Sequence, residues 1–371
     1  MRNRPRLEGS IGLAERPRIS YARSRDGASL AFTVTGQGPA VVFAPWVPFS
    51  NLSMEWENPL LRGAYEQLGR RLTLIQYDGR GTGHSQRDVT DLSLEAMVSD
   101  LEAVVDQTGP KVIGLIGQYS SCPHVLAYAA RHPDRVNRIV LFGGAARTWH
   151  AMSGPGTQAL LSLIEQDWNL FVDTAAHQWM GWSAVEAGRA TAEAFRGAVT
   201  PQMARASLQA ASAVDVTDIL PSVRAETLVL HRRGASLIPM EVSGALAMDL
   251  PRGHLVVLEG SQPNLLLEGT EGMIKLLLDF FCDGMVPSDV STSNADALPV
   301  AGRQGVPVGT LSRREIEVLR LLAAGESNAQ IARRLGISAY TIERHVVNIY
   351  RKIEARGRAD ATAYALRHGL G

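Results

Sequence analysis

The sequence predicts an α/β domain with a mostly parallel sheet and a helical cap, followed by a small all-α domain of four helices. Between residues 19 and 281, short β-branched runs alternate with helical patterns, as in sheets covered by helices on both faces. A polar, aperiodic stretch follows at 287–296. The last 63 residues contain repeated helix start and stop signals and no strand pattern.

Each element of the α/β domain follows from its own pattern. From about residue 149 to 216 the strand patterns stop, and a helical sequence rich in Trp, Met and Ala predicts the cap. Strands are predicted at 41–44, 72–77, 112–117, 139–142, 228–231 and 255–258, and helices at 94–107, 125–131 and 273–281. The predicted segments are a tail (1–18), the α/β domain (19–282), a linker (283–308) and the all-α domain (309–371).

The composition is that of an ordinary globular protein, with 45% hydrophobic and 20% charged residues among 371. The apolar runs are far shorter than the ~18–20 residues of a membrane span. The arginine-rich residues 1–18 lack the apolar segment of a secretory signal. Two cysteines cannot form a disulfide framework. We therefore expect a cytoplasmic protein that does not contact a membrane.

The net charge of zero conceals a difference between the two ends of the chain. Residues 309–371 contain 11 basic and 6 acidic side chains, whereas the preceding 308 residues contain 26 basic and 31 acidic ones. A small basic module joined to a larger acidic one favours nucleic-acid contact at the C-terminal end. A solvated basic face is the alternative, because a balance of +5 does not by itself identify a ligand.

The C-terminal domain has the signals of four short helices. Ser312 and Glu315 form a capping box at the first helix, and Ser327 and Gln330 form another at the second. Gly336 ends the second helix, and Ser338 caps the third. Apolar residues at 342, 346, 349 and 353 give the third helix its core stripe, and 358–368 form the fourth helix. Two short helices joined by a glycine turn, the second carrying basic residues, are typical of a helix-turn-helix motif.

The segments 311–325, 331–338 and 341–349 closely resemble the LuxR-type (GerE-type) DNA-binding domain. The resemblance implies that the third helix enters the major groove of double-stranded DNA and that the fourth helps to form a homodimer. Regulators of this type are most often activators, which implies contact with RNA polymerase. The predicted DNA-binding residues are Ser338, Thr341, Glu343, Arg344, Val347, Asn348, Arg351 and Lys352.

These DNA-binding residues divide into two groups by position. Glu343, Arg344 and Val347 are expected to face bases, whereas Arg351 and Lys352 are expected to contact phosphates, which fix register without reading sequence. Many relatives carry lysine at position 343. Because glutamate can accept a hydrogen bond from cytosine N4, we expect Glu343 to change the target sequence rather than abolish binding.

The order of the segments 41–46, 77–85, 116–121 and 127–141 resembles the α/β-hydrolase fold. The segment Gly81-Thr82-Gly83 follows a strand but lacks the third glycine of a dinucleotide-binding loop. In the hydrolase family this segment is a structural turn, and we expect the same here.

The hydrolase resemblance also implies where a nucleophile, an acid and a histidine would stand. Tyr119 occupies the nucleophile position of the elbow 117–121, Ala235 the acid position and Pro263 the histidine position. A phenol with a pKa near 10 is a poor nucleophile without an adjacent base. We therefore expect no hydrolytic enzyme. Replacement groups for an active site would have to come from Ser120, Ser121, Cys122, His84, His124 and His177.

The resemblance places a ligand site under the cap, at the carboxyl ends of the strands. Its predicted lining is Trp46, Val47, Gln118, Tyr119, Ser120, Trp168, His177, Trp179, Trp182, Pro263 and Asn264, although each cap tryptophan also fits a packing role. Such a lining suits a small, mainly apolar effector with an oxygen acceptor for Tyr119. No cofactor is expected and no metal site, because the nine histidines do not cluster at ligand spacing.

These observations lead to the hypothesis of a ligand-responsive transcription regulator. Loss of a catalytic triad suits a sensor, because turnover would destroy the signal. Two alternatives stay open: an active esterase or lactonase that also binds DNA, and a regulator controlled by a protein partner.

Overall fold

A computed structural model describes residues 17–147, 155–180, 185–235, 237–286, 311–323 and 328–352, together with residues 361 and 365. The chain divides into two compact units, Met1–Ala297 and Leu298–Gly371. The predicted tail and most of the predicted linker lie outside the described residues, so their bounds stay predictions.

The first unit contains an eight-stranded sheet in the order β1-β2-β4-β3-β5-β6-β7-β8. The strands are β1 (Ser20–Arg23), β2 (Ser29–Gly36), β3 (Ala40–Phe43), β4 (Thr73–Tyr77), β5 (Ile113–Gln118), β6 (Val136–Phe142), β7 (Glu226–Arg232) and β8 (Gly253–Leu258). The pairs formed by β3 to β8 are parallel, whereas β2 is antiparallel to both β1 and β4. All six predicted strands are present. The sequence analysis missed β1 and β2, in which polar residues interrupt the apolar runs.

Helices cover both faces of this sheet. They are α1 (Leu52–Glu57), α2 (Pro59–Gly69), α3 (Leu94–Thr108), α4 (Cys122–Arg131), α9 (Met240–Asp249) and α10 (Thr270–Asp283). Leu101 of α3 and Val125 of α4 belong to the core on one face, whereas Leu68 of α2 and Phe280 of α10 belong to the core on the other. The fold is therefore the predicted α/β-hydrolase architecture, in which the carboxyl ends of the parallel strands share one edge.

Between β6 and β7 the chain forms the helical insertion that the sequence predicts. Its helices are α5 (Pro155–Gln166), α6 (Trp168–Met180), α7 (Val185–Ala198) and α8 (Pro201–Ser212). Val172 and Ala176 of α6 and Phe195 of α7 are buried in a core of their own. This insertion is called the cap below.

The second unit contains α11 (Arg313–Ala323), α12 (Asn328–Leu335) and α13 (Ala339–Lys352). The predicted capping box is present, because Ser312 Oγ accepts from the Glu315 N–H at 3.3 Å and Glu315 Oε2 accepts from the Ser312 N–H at 2.7 Å. Ile342, Val346 and Ile349 pack into the core as the stripe predicts. Of the predicted fourth helix only Ala361 and Ala365 are described, and both are helical and buried. Ser327 and Ile353 lie outside the described residues.

Two features are absent from the described residues. None of their helices is both long enough and apolar enough to cross a membrane. No group of three or more His, Cys, Asp or Glu side chains among them is arranged to hold a metal ion.

Candidate functional site

The turn between β5 and α4 places Tyr119 at the carboxyl edge of the sheet. Tyr119 has φ +46°, and no other non-glycine residue that the structure describes has a positive φ. This left-handed conformation costs an L-residue about 1–2 kcal/mol. A Cβ on Gly117 would lie 3.1 Å from a Val125 methyl and 3.2 Å from Cys122 Cα, so the helix packs closely on the strand. A strained residue between a strand and a closely packed helix is the geometry of a nucleophile elbow.

The ring of Tyr119 is buried over the end of β6. It packs edge-to-face on Phe142, with 5.7 Å between the ring centroids. The neighbouring Gly143 has φ +58°, and a Cβ there would lie 2.5 Å from Tyr119 Cε1. Burial raises the pKa of the Tyr119 phenol, and the opposing effect of the Arg232 charge is smaller. The phenol is therefore neutral at physiological pH and is suited to hydrogen bonding rather than nucleophilic attack.

The hydroxyl and thiol groups next to Tyr119 serve the local structure. Ser120 Oγ donates to the Val47 carbonyl at 2.8 Å, which ties the elbow to the loop after β3. Ser121 Oγ donates to the Gln118 carbonyl at 3.0 Å and accepts from the Gln118 N–H at 2.8 Å. Cys122 is fully buried, which raises the pKa of its thiol.

The three histidines considered as possible bases have other surroundings. His84 is exposed, and its Nε2 lies 2.7 Å from Ser53 Oγ. His124 is buried, which lowers its pKa to about 4 and keeps it neutral. His177 Nδ1 lies 2.8 Å from the Asp173 carbonyl, and its ring packs on Gly188 of α7. His177 therefore takes part in packing within the cap, and its predicted contact with a ligand stays a prediction.

A buried arginine that the sequence analysis missed holds the loop after β8. The guanidinium of Arg232, at the end of β7, donates to the carbonyls of Gln262 and Asn264 at 2.7 Å and of Glu268 at 2.6 Å. It lies 5.2 Å from the Phe142 ring centroid. These bonds fix the backbone on both sides of Pro263. The only sign of this arginine's role in the sequence was its position directly after the predicted apolar strand at 228–231.

Two further contacts complete this loop. The Glu268 carboxylate accepts from the Ser261 and Gln262 N–H groups at 2.8 and 2.9 Å and lies 3.7 Å from Arg232 Nε. Gln118 Oε1 accepts from the Leu265 N–H at 3.1 Å, which joins the loop to the elbow. The predicted residue Gln118 therefore positions the loop, and Arg232 and Glu268 largely compensate each other's charge.

An aromatic cluster joins the loop after β3 to the cap. Phe49 stacks on Phe195 with centroids 4.1 Å apart, and Trp46 meets Phe195 edge-on at 5.5 Å. Trp168 stacks on Phe171 at 5.4 Å, and Phe171 stacks on Phe49 at 6.5 Å. The structure thus brings the predicted residues Trp46 and Trp168 into one cluster. The three phenylalanines were missed because nothing in their spacing distinguishes them from core residues.

The other residues predicted to line the ligand site differ in their burial. Val47 and Pro263 are buried, whereas Asn264 is half-buried and accepts from the Leu266 N–H through its side chain at 2.9 Å. Asn264 therefore stabilises a turn of the loop after β8. Trp182 and the side chain of Trp179 lie outside the described residues, so their predicted roles stay predictions.

The segment from Asp78 to Ser85 is a structural turn. Asp78 Oδ2 accepts from the His84 N–H at 2.8 Å, and a Cβ on Gly83 would lie 2.1 Å from that carboxylate oxygen. Arg80 is buried and ion-paired with Asp100 at 2.6 Å and with Asp26 at 2.7 Å. Gly83 is therefore needed for the close approach of Asp78, in agreement with the structural interpretation of Gly81–Gly83.

The start of α13 presents part of the predicted DNA-binding surface. Ser338 Oγ accepts from the Thr341 N–H at 3.1 Å and caps the helix. Arg344 is exposed, and Asn348 is half-buried. The side chains of Glu343, Val347 and Arg351 lie outside the described residues.

Lys352 forms an ion pair with a carboxylate of another helix. Its Nζ donates to Glu315 Oε2 at 2.8 Å. Glu315 is buried, which by itself raises its pKa, but hydrogen bonds from Lys352 and Ser312 lower the pKa below its usual value. A buried carboxylate needs a cationic partner. Lys352 therefore stabilises the packing of α13 on α11, and its predicted phosphate contact stays a prediction.

The fold and the two sites define an α/β-hydrolase-fold domain followed by a LuxR-type helix-turn-helix domain. Residues 309–365 match the family of bacterial regulatory proteins of the luxR type. Residues 49–186 match the alpha/beta hydrolase fold family. The chain therefore contains a hydrolase-fold domain and, after it, a LuxR-type helix-turn-helix domain.

Individual relatives show the same division. The 2-hydroxy-6-oxo-2,4-heptadienoate hydrolase of Pseudomonas putida is 26% identical over 260 residues, 67% of this chain and 87% of that protein. The transcriptional regulatory protein LiaR of Bacillus subtilis is 36% identical over 70 residues, 19% of this chain and 33% of LiaR. The match thus spans about a third of that regulator. An esterase from Exiguobacterium antarcticum superimposes with a TM-score of 0.62 at 21% identity, over 71% of this chain and 98% of the esterase. At this identity the likeness shows a shared fold.

Proposed function

We propose that the chain is a ligand-responsive transcription regulator. In this proposal the hydrolase-fold domain binds a small, mainly apolar molecule without hydrolysing it, and binding changes the DNA affinity of the LuxR-type domain. The regulator acts as a homodimer and as an activator that contacts RNA polymerase. The observation that carries the proposal is the buried, neutral phenol of Tyr119 at the strained elbow.

The surroundings of the elbow support binding without turnover. Covalent catalysis needs a nucleophile activated by an adjacent base. Ser120 and Ser121 are engaged with main-chain groups, and Arg232 holds the loop that contains Pro263. A site that leaves its ligand intact preserves the signal that a sensor reports.

The chemistry of the site favours a small aromatic or aliphatic effector. The loop after β3 and the cap supply the aromatic cluster, and the compensated charges of Arg232 and Glu268 leave no strong field for a charged ligand. Apolar linings with a few polar groups are usual in small-molecule sites. Tyr119 is the hydrogen-bonding group that we assign to an oxygen acceptor of the ligand.

Control of DNA binding requires the ligand to distinguish two states of the protein. A ligand shifts an equilibrium only by its difference in affinity for the two states. The contact between Trp46 and Phe195 joins the loop after β3 to the cap. A ligand that changes this contact alters the position of the cap, which is the element we expect to differ between the two states.

The first experiment is a thermal-shift screen of the full chain against small esters, lactones, phenols and aromatic ketones. A ligand at 100-fold over its dissociation constant adds about 2.7 kcal/mol of stability. Each stabilising compound is recovered and analysed. Recovery of the intact compound, together with a change in DNA affinity, supports the proposal. Recovery of a hydrolysed product contradicts it.

A matched pair of variants tests whether the site under the cap receives the signal. Ser120→Trp places a large side chain beside the elbow, and Ser222→Trp places the same side chain at an exposed position. The proposal expects only Ser120→Trp to abolish the response to the compound. An unchanged response in both variants would favour control by a protein partner.

DNA binding is tested on the predicted third-helix residues. Arg351→Ala is expected to weaken binding equally on all sequences and to reduce the slope of log K against log salt by about 0.9. Glu343→Lys is expected to change the preferred sequence instead. Equal effects of both changes on every DNA fragment would contradict the assignment of residues to phosphates and bases.

The names of the relatives favour one alternative, an active esterase or lactonase that also binds DNA. Such an enzyme would release a burst of product from activated esters. Tyr119→Phe or Cys122→Ala would then abolish the burst. No burst from the wild-type chain would exclude this alternative for the esters tested.

A further inference from the structure

One edge of the sheet is open. Among the described residues, β8 is the last strand in the sheet order and pairs with β7 alone. We infer that a second copy of this chain pairs with β8, so that the two hydrolase-fold domains associate about a two-fold axis. This inference extends the proposed homodimer, and in that respect it rests on the proposed function.

The main-chain groups of β8 present hydrogen-bonding positions at this edge. The N–H groups of Thr227 in β7 and of Arg233, which follows β7, donate at 2.9 Å to the carbonyls of Arg252, which precedes β8, and of Leu258. The even-numbered residues of β8 therefore face β7. The main-chain groups of successive strand residues point alternately to the two sides of the strand. The N–H and C=O groups of Leu255 and Val257 therefore point to the open edge. Such a row of groups is a template for another strand.

An apolar surface adjoins the open edge. Met240, Gly244 and Met248 lie four residues apart on one face of α9. Met248 is 81% exposed, and Leu255 of β8 is 40% exposed. Leu255 Cδ2 lies 3.9 Å from the position of a Cβ on Gly244, so the strand and helix surfaces are continuous. We call the surface formed by these four residues the β8–α9 face.

The geometry favours a second copy of the chain as the occupant. Antiparallel pairing of one strand with its copy gives both partners the same donors and acceptors, which satisfies two-fold symmetry. The central residues of β8, Leu255 to Val257, carry no charge, so the symmetry axis does not bring like charges together. The opposite edge strand, β1, has four residues and ends at Arg23, features that discourage strand pairing. LuxR-type domains that read two half-sites also need a dimer.

Sedimentation velocity of the full chain tests the inference. We expect wild type to sediment as a dimer at micromolar concentration. Leu255→Lys places two lysines near the axis and is expected to raise the dimer dissociation constant about tenfold or more, equivalent to 1.4 kcal/mol. The control Leu60→Lys, at a 55% exposed position on α2, is expected to leave the dimer unchanged.

Cross-linking locates the contact independently. Paired residues of antiparallel strands have Cα atoms about 4.5–5.5 Å apart, within the range of a disulfide. With the two-fold axis at Leu255, this residue opposes its own copy; with the axis at Val256, it opposes Val257 of the second copy. In a Cys282→Ser background we therefore expect the double variant Leu255→Cys/Val257→Cys to give a covalent dimer on mild oxidation, and Leu60→Cys to give none. The remaining native cysteine, Cys122, is buried.

The inference is overturned if wild type is monomeric, or if Leu255→Lys dimerises like wild type. The second result would arise from association through the C-terminal domain or from coverage of the edge by residues 287–310. The thermal shift caused by a stabilising compound from the screen is also measured on Leu255→Lys. If Leu255→Lys no longer dimerises but is still stabilised by the compound, self-association and ligand binding are separate properties. Either proposal can therefore fail without the other.

Discussion

Replacement of Gly143 by alanine tests whether the Tyr119 ring occupies the end of β6. Gly143 has φ +58°, and the added Cβ would lie 2.5 Å from Tyr119 Cε1 and 2.9 Å from Cδ1. The ring cannot withdraw easily because it is buried against Phe142. We therefore expect Gly143→Ala to destabilise the hydrolase-fold domain.

Two effects contribute to the magnitude. The left-handed backbone costs an alanine about 1–2 kcal/mol. Overpacking of a closed core adds about 1–3 kcal/mol. The sum, about 2–5 kcal/mol, is a large fraction of the roughly 5–15 kcal/mol that usually stabilises a domain.

Gly109→Ala separates these effects. Gly109 has φ +80°, but an added Cβ would meet nothing within 4 Å, so only the backbone cost is expected there. Thermal and urea unfolding of both variants measures the difference. In a double-mutant cycle, Tyr119→Ala is expected to recover about 1–3 kcal/mol in the Gly143→Ala background. Equal costs at Gly143 and Gly109, or no coupling to Tyr119, would refute the reasoning.

Three further predictions concern buried charges. Arg232→Met leaves carbonyls of the loop after β8 without donors, and we expect the free energy of unfolding to fall by about 3–5 kcal/mol. Arg232→Lys is expected to restore only part of this free energy. Lys352→Met leaves the Glu315 carboxylate without its cation and lowers the melting temperature of the C-terminal domain. Because the pKa of Glu315 is lowered in the fold, its contribution is present at neutral pH and is lost as the pH falls through the folded pKa, so the effect of Lys352→Met shrinks in acid. Burial raises the pKa of Glu55 from 4.5 to about 7, and a hydrogen bond from Tyr65 opposes this shift. Because the folded protein then keeps a proton that the unfolded chain releases, wild-type stability is expected to fall as the pH rises from about 4.5 through 7. Glu55→Gln should remove that part of the pH dependence, and an unchanged melting profile between pH 5 and 8 would contradict it.

The buried strands and the helix signals of the C-terminal domain were predictable because they are local. Continuous apolar runs marked β3 to β8, and the box formed by Ser312 and Glu315 marked the start of α11. The strands β1 and β2 were not predicted because Ser and Thr interrupt their apolar patterns. Their burial depends on neighbours that lie far away in the sequence.

The candidate site was predictable only where a resemblance fixed a position. The order of segments located the elbow, and the structure shows Tyr119 there in a left-handed conformation. The contacts of His177 and Lys352 could not be foreseen, because Gly188 and Glu315 reach them through packing between helices. Arg232 was missed for the same reason, since its partners are main-chain carbonyls more than 25 residues away.

The sequence by itself determined which side chains are available: a tyrosine at the elbow, an alanine and a proline at positions 235 and 263, and a basic C-terminal domain. It also determined the two fold classes, because the period of apolar residues and the capping signals are properties of short segments. The tertiary structure decided what each side chain touches. It buried Tyr119 beside Gly143, joined Trp46 to the cap and left β8 with an open edge. Such contacts depend on the three-dimensional approach of distant segments, which no local pattern encodes.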